Sequence, residues 1–287
     1  MEHTIAIVGA GRVGQALGRR LRQLGWEIGT VVTRSMATAR SAVRAIGEGL
    51  AQDKIVRHVL DAEVVLIATP DAEIPNVSKR LAQIGREEWR GKVVLHTSGA
   101  LDSSALELLA RWGAATGSMH PMQTFTGRGA PALEGVVFAV EGDRKAQRVA
   151  RRIAHGLGGV AVTIRGSVKP AYHAAGTFVA GHGLAAIEAA VRLLMRAGFS
   201  RRHAKMALLR LTRQMLENFE KLGAREAWTG PISRGDFSTI ARHRSALADW
   251  PPEYLQAYAA LARLSARVLD SHPDQTIRHL NRVLPKS

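Results

Sequence analysis

The first half of the chain alternates short apolar runs with longer stretches in which apolar positions recur every three or four residues. Ile5–Val8, Ile28–Thr33, Val64–Ala68, Lys92–His96, Ala114–Ser118, Val136–Val140 and Val160–Ile164 read as strands, several of them apolar throughout. Val13–Leu24, Ala72–Ile84, Ser104–Trp112 and Lys145–Leu157 carry the helical period. Strands buried on both faces and separated by helices predict an α/β fold, a doubly wound, mostly parallel sheet of the Rossmann type. After Arg165-Gly166-Ser167 no further strand is expected. Helical stretches follow over about 168–197, 200–222, 236–248 and 252–270. The predicted division is an α/β domain over 1–166 and an all-α domain over 167–287.

Composition narrows the class. The 287 residues include no cysteine, which removes disulfides, thiolate nucleophiles and cysteine-based zinc sites. No apolar run is expected to reach the ~20 residues that span a bilayer, because Phe178–Met195 is interrupted by His182, Glu188 and Arg192. The segment Met1-Glu2-His3-Thr4 lacks the charged head and apolar run of a signal peptide, so a cytoplasmic location is expected. The net charge of +16 raises a nucleic-acid reading. The basic residues are dispersed, however, and clusters such as Arg19-Arg20-Arg22, Arg148-Arg151-Arg152 and Arg201-Arg202 fit exposed helix faces. A basic surface also attracts anionic cofactors and substrates.

The strongest motif opens the chain. Ile5-Ala6-Ile7-Val8-Gly9-Ala10-Gly11-Arg12-Val13-Gly14 is G-x-G-x-x-G between a strand and a helix. Gly9 serves the tight turn, Gly11 the close approach of a pyrophosphate, and Gly14 the contact of helix with strand. Phosphates would meet the amides of Arg12 and Val13 at the positive end of the helix. The second strand ends Thr33-Arg34-Ser35, without the carboxylate that would hold an NAD ribose. Arg34 can pair with a 2′-phosphate and Thr33 and Ser35 can donate to it, so NADP is the predicted cofactor. A second loop, Thr69-Pro70-Asp71, leaves a buried strand at the edge where ligands bind, with Asp71 a candidate helix cap.

Four clusters are candidates for chemistry. His96-Thr97-Ser98-Gly99 and His120-Pro121-Met122-Gln123 end two strands; Ser98 can donate to a carbonyl oxygen and His120 can act as acid or base. Lys169-Pro170-Ala171-Tyr172-His173 opens the first long helix, with Lys169 and His173 on one face. A lysine whose pKa burial has lowered can serve as proton donor. The glycines Gly176, Gly181 and Gly183 that follow point to close contacts. In Trp228–Asp236, Arg234 is a candidate for a substrate anion and Asp236 for a helix cap. No metal-ligand spacing such as H-E-x-x-H is present.

Taken together, Gly9–Gly14, Thr69-Pro70-Asp71, His96–Ala100, His120–Phe125, Lys169–His173 and Gly230–Asp236 make the chain resemble the bacterial Rossmann-like plus DUF2520 proteins. These belong to the wider group of 6-phosphogluconate dehydrogenase-like, ketopantoate reductase-like and pyrroline-5-carboxylate reductase-like oxidoreductases. The resemblance implies an NADP-binding domain, a helical domain that pairs into a homodimer, and hydride transfer to a small, anionic carbonyl, hydroxy acid or imine. Lys169 matches the place of a catalytic lysine in several relatives. His120-Pro121 is similar to the His-Pro motif of prephenate dehydrogenases, and Ser98 to their substrate-contacting serine. Where members often read Ser-Asn, this chain has Ala180-Gly181. A prephenate-dehydrogenase-like activity and a non-catalytic NADP(H)-binding regulator are the alternatives.

Overall fold

A computed structural model describes residues 3–127 and 131–285. Eight strands form one sheet: β1 (Thr4–Val8), β2 (Glu27–Val32), β3 (Leu50–Gln52), β4 (Val64–Ile67), β5 (Val93–His96), β6 (Ala115–Pro121), β7 (Val137–Gly142) and β8 (Val160–Thr163). Their order is β3-β2-β1-β4-β5-β6-β7-β8, parallel except for the antiparallel pair β6/β7. The doubly wound expectation is met, and the order reverses at β1, between β2 and β4.

Alternation of side chains explains why both faces are covered. In β1, Ile5 and Ile7 enter one core while Ala6 and Val8 enter the other. In β4, Val64 and Leu66 divide from Val65 and Ile67 in the same way. The first face is covered by α1 (Arg12–Gln23), α2 (Met36–Ile46) and, later in the chain, Arg144–Gly156, through Leu17, Leu21, Ile46, Ala150 and Ile153. The second is covered by α3 (Ile74–Ile84) and α4 (Glu107–Arg111), through Val77, Leu81 and Leu109. Arg144–Gly156 is α5, which Asp143 caps by accepting from the amides of Lys145 and Ala146.

Four helices or strands are absent from the sequence reading, the shortest helix being Ala224–Ala227. The helix α2 is rich in alanine, arginine and small polar residues, so its periodic apolar positions, Ala39, Ala42, Val43 and Ile46, carry mostly small side chains; Ser35 caps it, and Ala39, Ala42 and Ile46 are buried. The strand β3 has three residues, too few for an alternation signal. A C-terminal helix over Pro273–Val283 also forms, with Thr276 and Leu280 buried.

The chain divides into two compact units, Met1–Gly181 and His182–Ser287. Residues 167–181, read from sequence as part of the helical half, belong to the first unit because Lys169 anchors α6 (Lys169–Thr177) beneath the ends of β5 and β6. A 3-10 turn, α6, a π-helical turn over Phe178–His182 and α7 (Gly183–Arg196) join end to end. The resulting helical run, Gly166–Arg196, is 31 residues long and apolar enough by length and composition to cross a membrane, its most apolar 18-residue stretch having a mean hydropathy of 1.4. This departs from the expectation that no such stretch exists, since the polar interruptions at His182 and Glu188 do not end the helix.

The second unit contains α7, α8 (Arg201–Leu222), α9 (Ala224–Ala227), α10 (Phe237–Leu247), α11 (Pro252–Leu269) and the C-terminal helix, α12. A small core of Ile240, Ala259, Ala262, Ala266, Leu280 and Leu284 joins α10, α11 and α12. In contrast, α8 buries only Ala204 over its 22 residues and exposes Met206, Leu211, Met215, Leu216 and Phe219.

Candidate active site

The residues singled out in the first unit converge on the C-terminal edge of the parallel strands. The loop after β1 makes the tightest approach. Gly9 has φ +91°, and a Cβ there would sit 2.5 Å from Thr69 Cγ2 at the end of β4. Only glycine satisfies both the left-handed backbone and that proximity. Gly14 is similarly confined, since its Cβ would lie 2.8 Å from the Gly9 carbonyl oxygen. Gly11 differs: among the described residues, no atom lies within 4 Å of where its Cβ would be. It opens α1 without a side-chain cap, and the first turn holds no acidic residue. The amides of Arg12, Val13 and Gly14 thus begin a helix with no intrahelical acceptors. The Arg12 side chain lies beside Gly127 in the loop that follows β6.

At the end of β2, Arg34 is exposed. Its neighbours are more occupied than the sequence suggested. Ser35 Oγ accepts the Thr38 amide at 3.3 Å as the cap of α2, and Thr33 Oγ1 donates to the Ser35 carbonyl oxygen at 3.0 Å. At the end of β4, Asp71 does not cap a helix. Pro70 precedes a 3-10 turn over Asp71–Glu73, no side chain caps that turn, and α3 begins only at Ile74. The Asp71 carboxylate instead acts on the site through its charge, favouring the protonated forms of His96, His120 and Lys169. Thr69 Oγ1, beside the Gly9 turn, has no hydrogen-bond partner among the described residues.

The end of β5 is built from buried polar groups. His96 is fully buried, with Nε2 3.0 Å from the Asp102 carbonyl oxygen and Nδ1 3.2 Å from the Ser98 amide. Nε2 therefore donates and Nδ1 accepts, and burial holds the ring near a pKa of about 4. Both nitrogens are committed to the backbone, so His96 shapes the loop and has none left for a ligand. Ser98 Oγ accepts the amides of Ala100 and Leu101 at 3.1 and 2.9 Å. Thr97 extends the ladder, its amide donating to the Ile67 carbonyl. Gln123, beyond β6, is exposed and its Oε1 accepts the Thr124 amide.

Lys169 lies behind this loop, fully buried. Its Nζ donates to the Ser98 carbonyl oxygen at 2.9 Å and to Ser118 Oγ at 2.6 Å, and Ser118 Oγ donates to Glu141 Oε2 at 3.2 Å. Ser103 donates to Glu141 through both its amide and its hydroxyl. Burial lowers the Lys169 pKa to about 8, against the opposing pull of Glu141, Asp102 and Asp71.

In front of Lys169 stand three rings. His120 Nδ1 is 2.9 Å from the Tyr172 hydroxyl, and the His120 ring meets those of Tyr172 and His173 edge-on at 5.5 and 5.8 Å. Gly99 makes room for them, because a Cβ there would approach His173 Cδ2 to 2.7 Å and His120 Nε2 to 2.8 Å. Gly176 does the same for Met122, whose sulfur would be 3.0 Å away. No such neighbour surrounds Gly181 beyond its own turn. His120 is held near a pKa of about 4 by burial, then by the charges of Lys169 and His173; burial pushes the Tyr172 phenol up to about 12.

Sequence reasoning had passed over Tyr172, Ser118 and Glu141. Tyr172 was legible as one turn of helix beyond Lys169. Ser118 and Glu141 became neighbours only through the antiparallel pairing of β6 with β7. Arg234 lies in the second unit, exposed on the turn before α10, where Asp236 caps the helix by accepting the Thr239 amide at 3.0 Å. Among the described residues, no group of three His, Asp or Glu side chains could hold a metal.

The family models match this geometry in two parts: a Rossmann-like domain over residues 2–121 and a domain of unknown function, DUF2520, over 136–265. The chain is a Rossmann-like plus DUF2520 protein. No curated protein matches the sequence. Among solved structures, it is similar to a Bacteroides fragilis protein assigned as an NADP oxidoreductase, at 21% identity and a TM-score of 0.74, over 92% of this chain and 98% of the other. It is similar to an imine reductase of Streptomyces aurantiacus at 15% identity and a TM-score of 0.63, over 98% and 94%. A prephenate dehydrogenase of Aquifex aeolicus matches at 16% identity and a TM-score of 0.53, over 84% and 99%. Such low identities establish the shared fold.

Proposed function

We propose that this Rossmann-like plus DUF2520 protein is an NADP-dependent oxidoreductase acting on a small carbonyl, hydroxy acid or imine. One observation carries the reading: an uncapped helix start over Gly11 shares a sheet edge with the His120–Tyr172–His173 cluster. Gly9, Gly11, Arg12, Val13 and Gly14 would hold the diphosphate. Arg34 would pair with the 2′-phosphate, with Thr33 and Ser35 shaping the turn around it. Thr69, Pro70 and Asp71 would border the dinucleotide. The bound cofactor supplies or accepts the hydride. The chain's own groups orient the reacting carbon and handle the proton that accompanies hydride transfer. The fold shared with NADP-linked, imine-reducing and prephenate-oxidising enzymes supports this class of chemistry.

The test is isothermal calorimetry of the full chain with NADPH and NADH, followed by turnover on carbonyl and imine substrates. Micromolar NADPH binding with weaker NADH binding is expected; no uptake of either would overturn the reading. His120-Pro121 at the end of β6 favours a second possibility, oxidation of a prephenate-like acid. That reading predicts NADPH formation from such an acid and none from simple hydroxy acids.

The exposed apolar face of α8 supports a homodimer formed through the helical unit. A 22-residue helix with one buried residue leaves its apolar side chains to be covered. Sedimentation is expected to give twice the chain mass.

A further inference from the structure

The groups able to carry a proton in this site are not equally reachable. Lys169 has no exposed surface, and its Nζ is engaged by the Ser98 carbonyl and the Ser118 hydroxyl. Three residues on, Tyr172 is half-buried, and its hydroxyl meets His120 Nδ1 at 2.9 Å. The opposite ring nitrogen, Nε2, packs against Gly99 so closely that a Cβ there would sit 2.8 Å from it, while part of the His120 side chain stays exposed.

We infer that the His120–Tyr172 pair delivers the proton in this site and that Lys169 is a positioning residue that holds the pair's surroundings in place. The inference rests on the oxidoreductase reading and deepens it.

The assignment of protons follows from the surroundings. Tyr172, pushed up to about 12, keeps its proton near neutrality. The groups acting on His120 are Lys169 and His173, which disfavour its cation, and Asp71, which favours it; with burial the largest influence, the ring stays neutral. With the protonated phenol donating to Nδ1, the neutral imidazole carries its hydrogen on Nε2. In reduction, hydride from a reduced nicotinamide forms the new C–H bond. The π pair of the C=O or C=N bond moves onto oxygen or nitrogen, and that atom takes the proton from His120 Nε2. The Tyr172 hydroxyl proton passes to Nδ1, leaving a phenolate that solvent reprotonates after product release.

The experiment has an arm without cofactor. In uniformly 15N-histidine-labelled full chain, the ring nitrogen shifts of His120, identified with His120→Gln, report the tautomer. The Nε2–H form is expected in the wild type, with a rise in the Nδ1–H form in Tyr172→Phe. A wild-type ring protonated on Nδ1 would overturn the proposal, and that measurement requires no variant to fold beyond the one used for identification. In the second arm, Tyr172→Phe is assayed with NADPH and a cyclic imine. A fall in kcat of a hundredfold or more, with the NADPH Kd within twofold of wild type, is expected. A kcat within threefold of wild type returns the proton to another group. Lack of NADPH binding by the wild-type chain would remove the oxidoreductase reading instead, an outcome distinct from the tautomer result.

Discussion

Lys169 Nζ donates to the carbonyl oxygen of Ser98 at 2.9 Å, across 71 residues of chain. Through this bond and the one to Ser118, a single buried cation ties the start of α6 to the ends of β5 and β6, with Glu141 as its counter-charge. Lys169→Met removes the cation and leaves Glu141 among groups arranged for a positive neighbour. Losing one member of a buried charged network costs about 3 kcal/mol or more. The variant is expected to melt well below wild type in calorimetric scans, and Lys169→Met with Glu141→Gln should recover part of the loss. An unchanged Tm for Lys169→Met would show that the network is not stabilising.

Arg34 supplies an exposed cation at the end of β2 suited to a 2′-phosphate. A charge-assisted hydrogen bond contributes about 1.5–3 kcal/mol, or roughly 10- to 100-fold in affinity. Titration calorimetry of Arg34→Ala should show NADPH binding weakened on that scale and NADH binding little altered. Equal weakening of both would contradict a role in discriminating the phosphate.

Gly9 joins a positive φ to a near-contact with Thr69. Gly9→Ala meets a strained backbone, costing about 1–3 kcal/mol, and also a clash that the end of β4 must yield to. A lower Tm together with loss of NADPH binding is expected. Gly11→Ala has open space and should preserve Tm while weakening NADPH, which thermal melts and calorimetry on the pair would separate.

His96 predicts a pH dependence of stability. Its folded pKa is depressed from 6.5 to about 4 by burial, so between those values the unfolded chain binds more protons than the folded one. Stability is therefore full above the unfolded pKa of 6.5 and falls as pH drops toward 4, by about 3 kcal/mol at most for this group. His120 shifts in the same direction and adds to the slope. Urea unfolding at pH 7.5 and pH 5 should show the loss, and His96→Asn should flatten it.

Much of the first unit was legible beforehand because its signals are local. Apolar runs buried on both faces mark β1, β4 and β5, and the glycine spacing of Gly9, Gly11 and Gly14 identifies a strand-to-helix turn whatever the rest of the chain does. The helix α2 escaped notice because its periodic apolar positions are mostly alanines, although its alanines and arginines are good helix formers; the three-residue β3 is too short to carry an alternation signal. Asp71 was expected to cap a helix, but Pro70 starts a 3-10 turn first and frees the carboxylate to act through its field.

The roles within the site could not be read in the same way. Lys169, His120, Ser98 and His96 all have the chemistry for proton transfer, and a one-dimensional string ranks them equally. Residue type and spacing alone determined the fold class, the dinucleotide motif and the set of candidates. The three-dimensional fold decided which candidates are committed to their own loop, which one is buried against Ser118 and Glu141, and that His120 meets Tyr172, to which the sequence reading gave no role. Accessibility and pKa arise from neighbours distant in the chain, and those neighbours exist only once strands have paired.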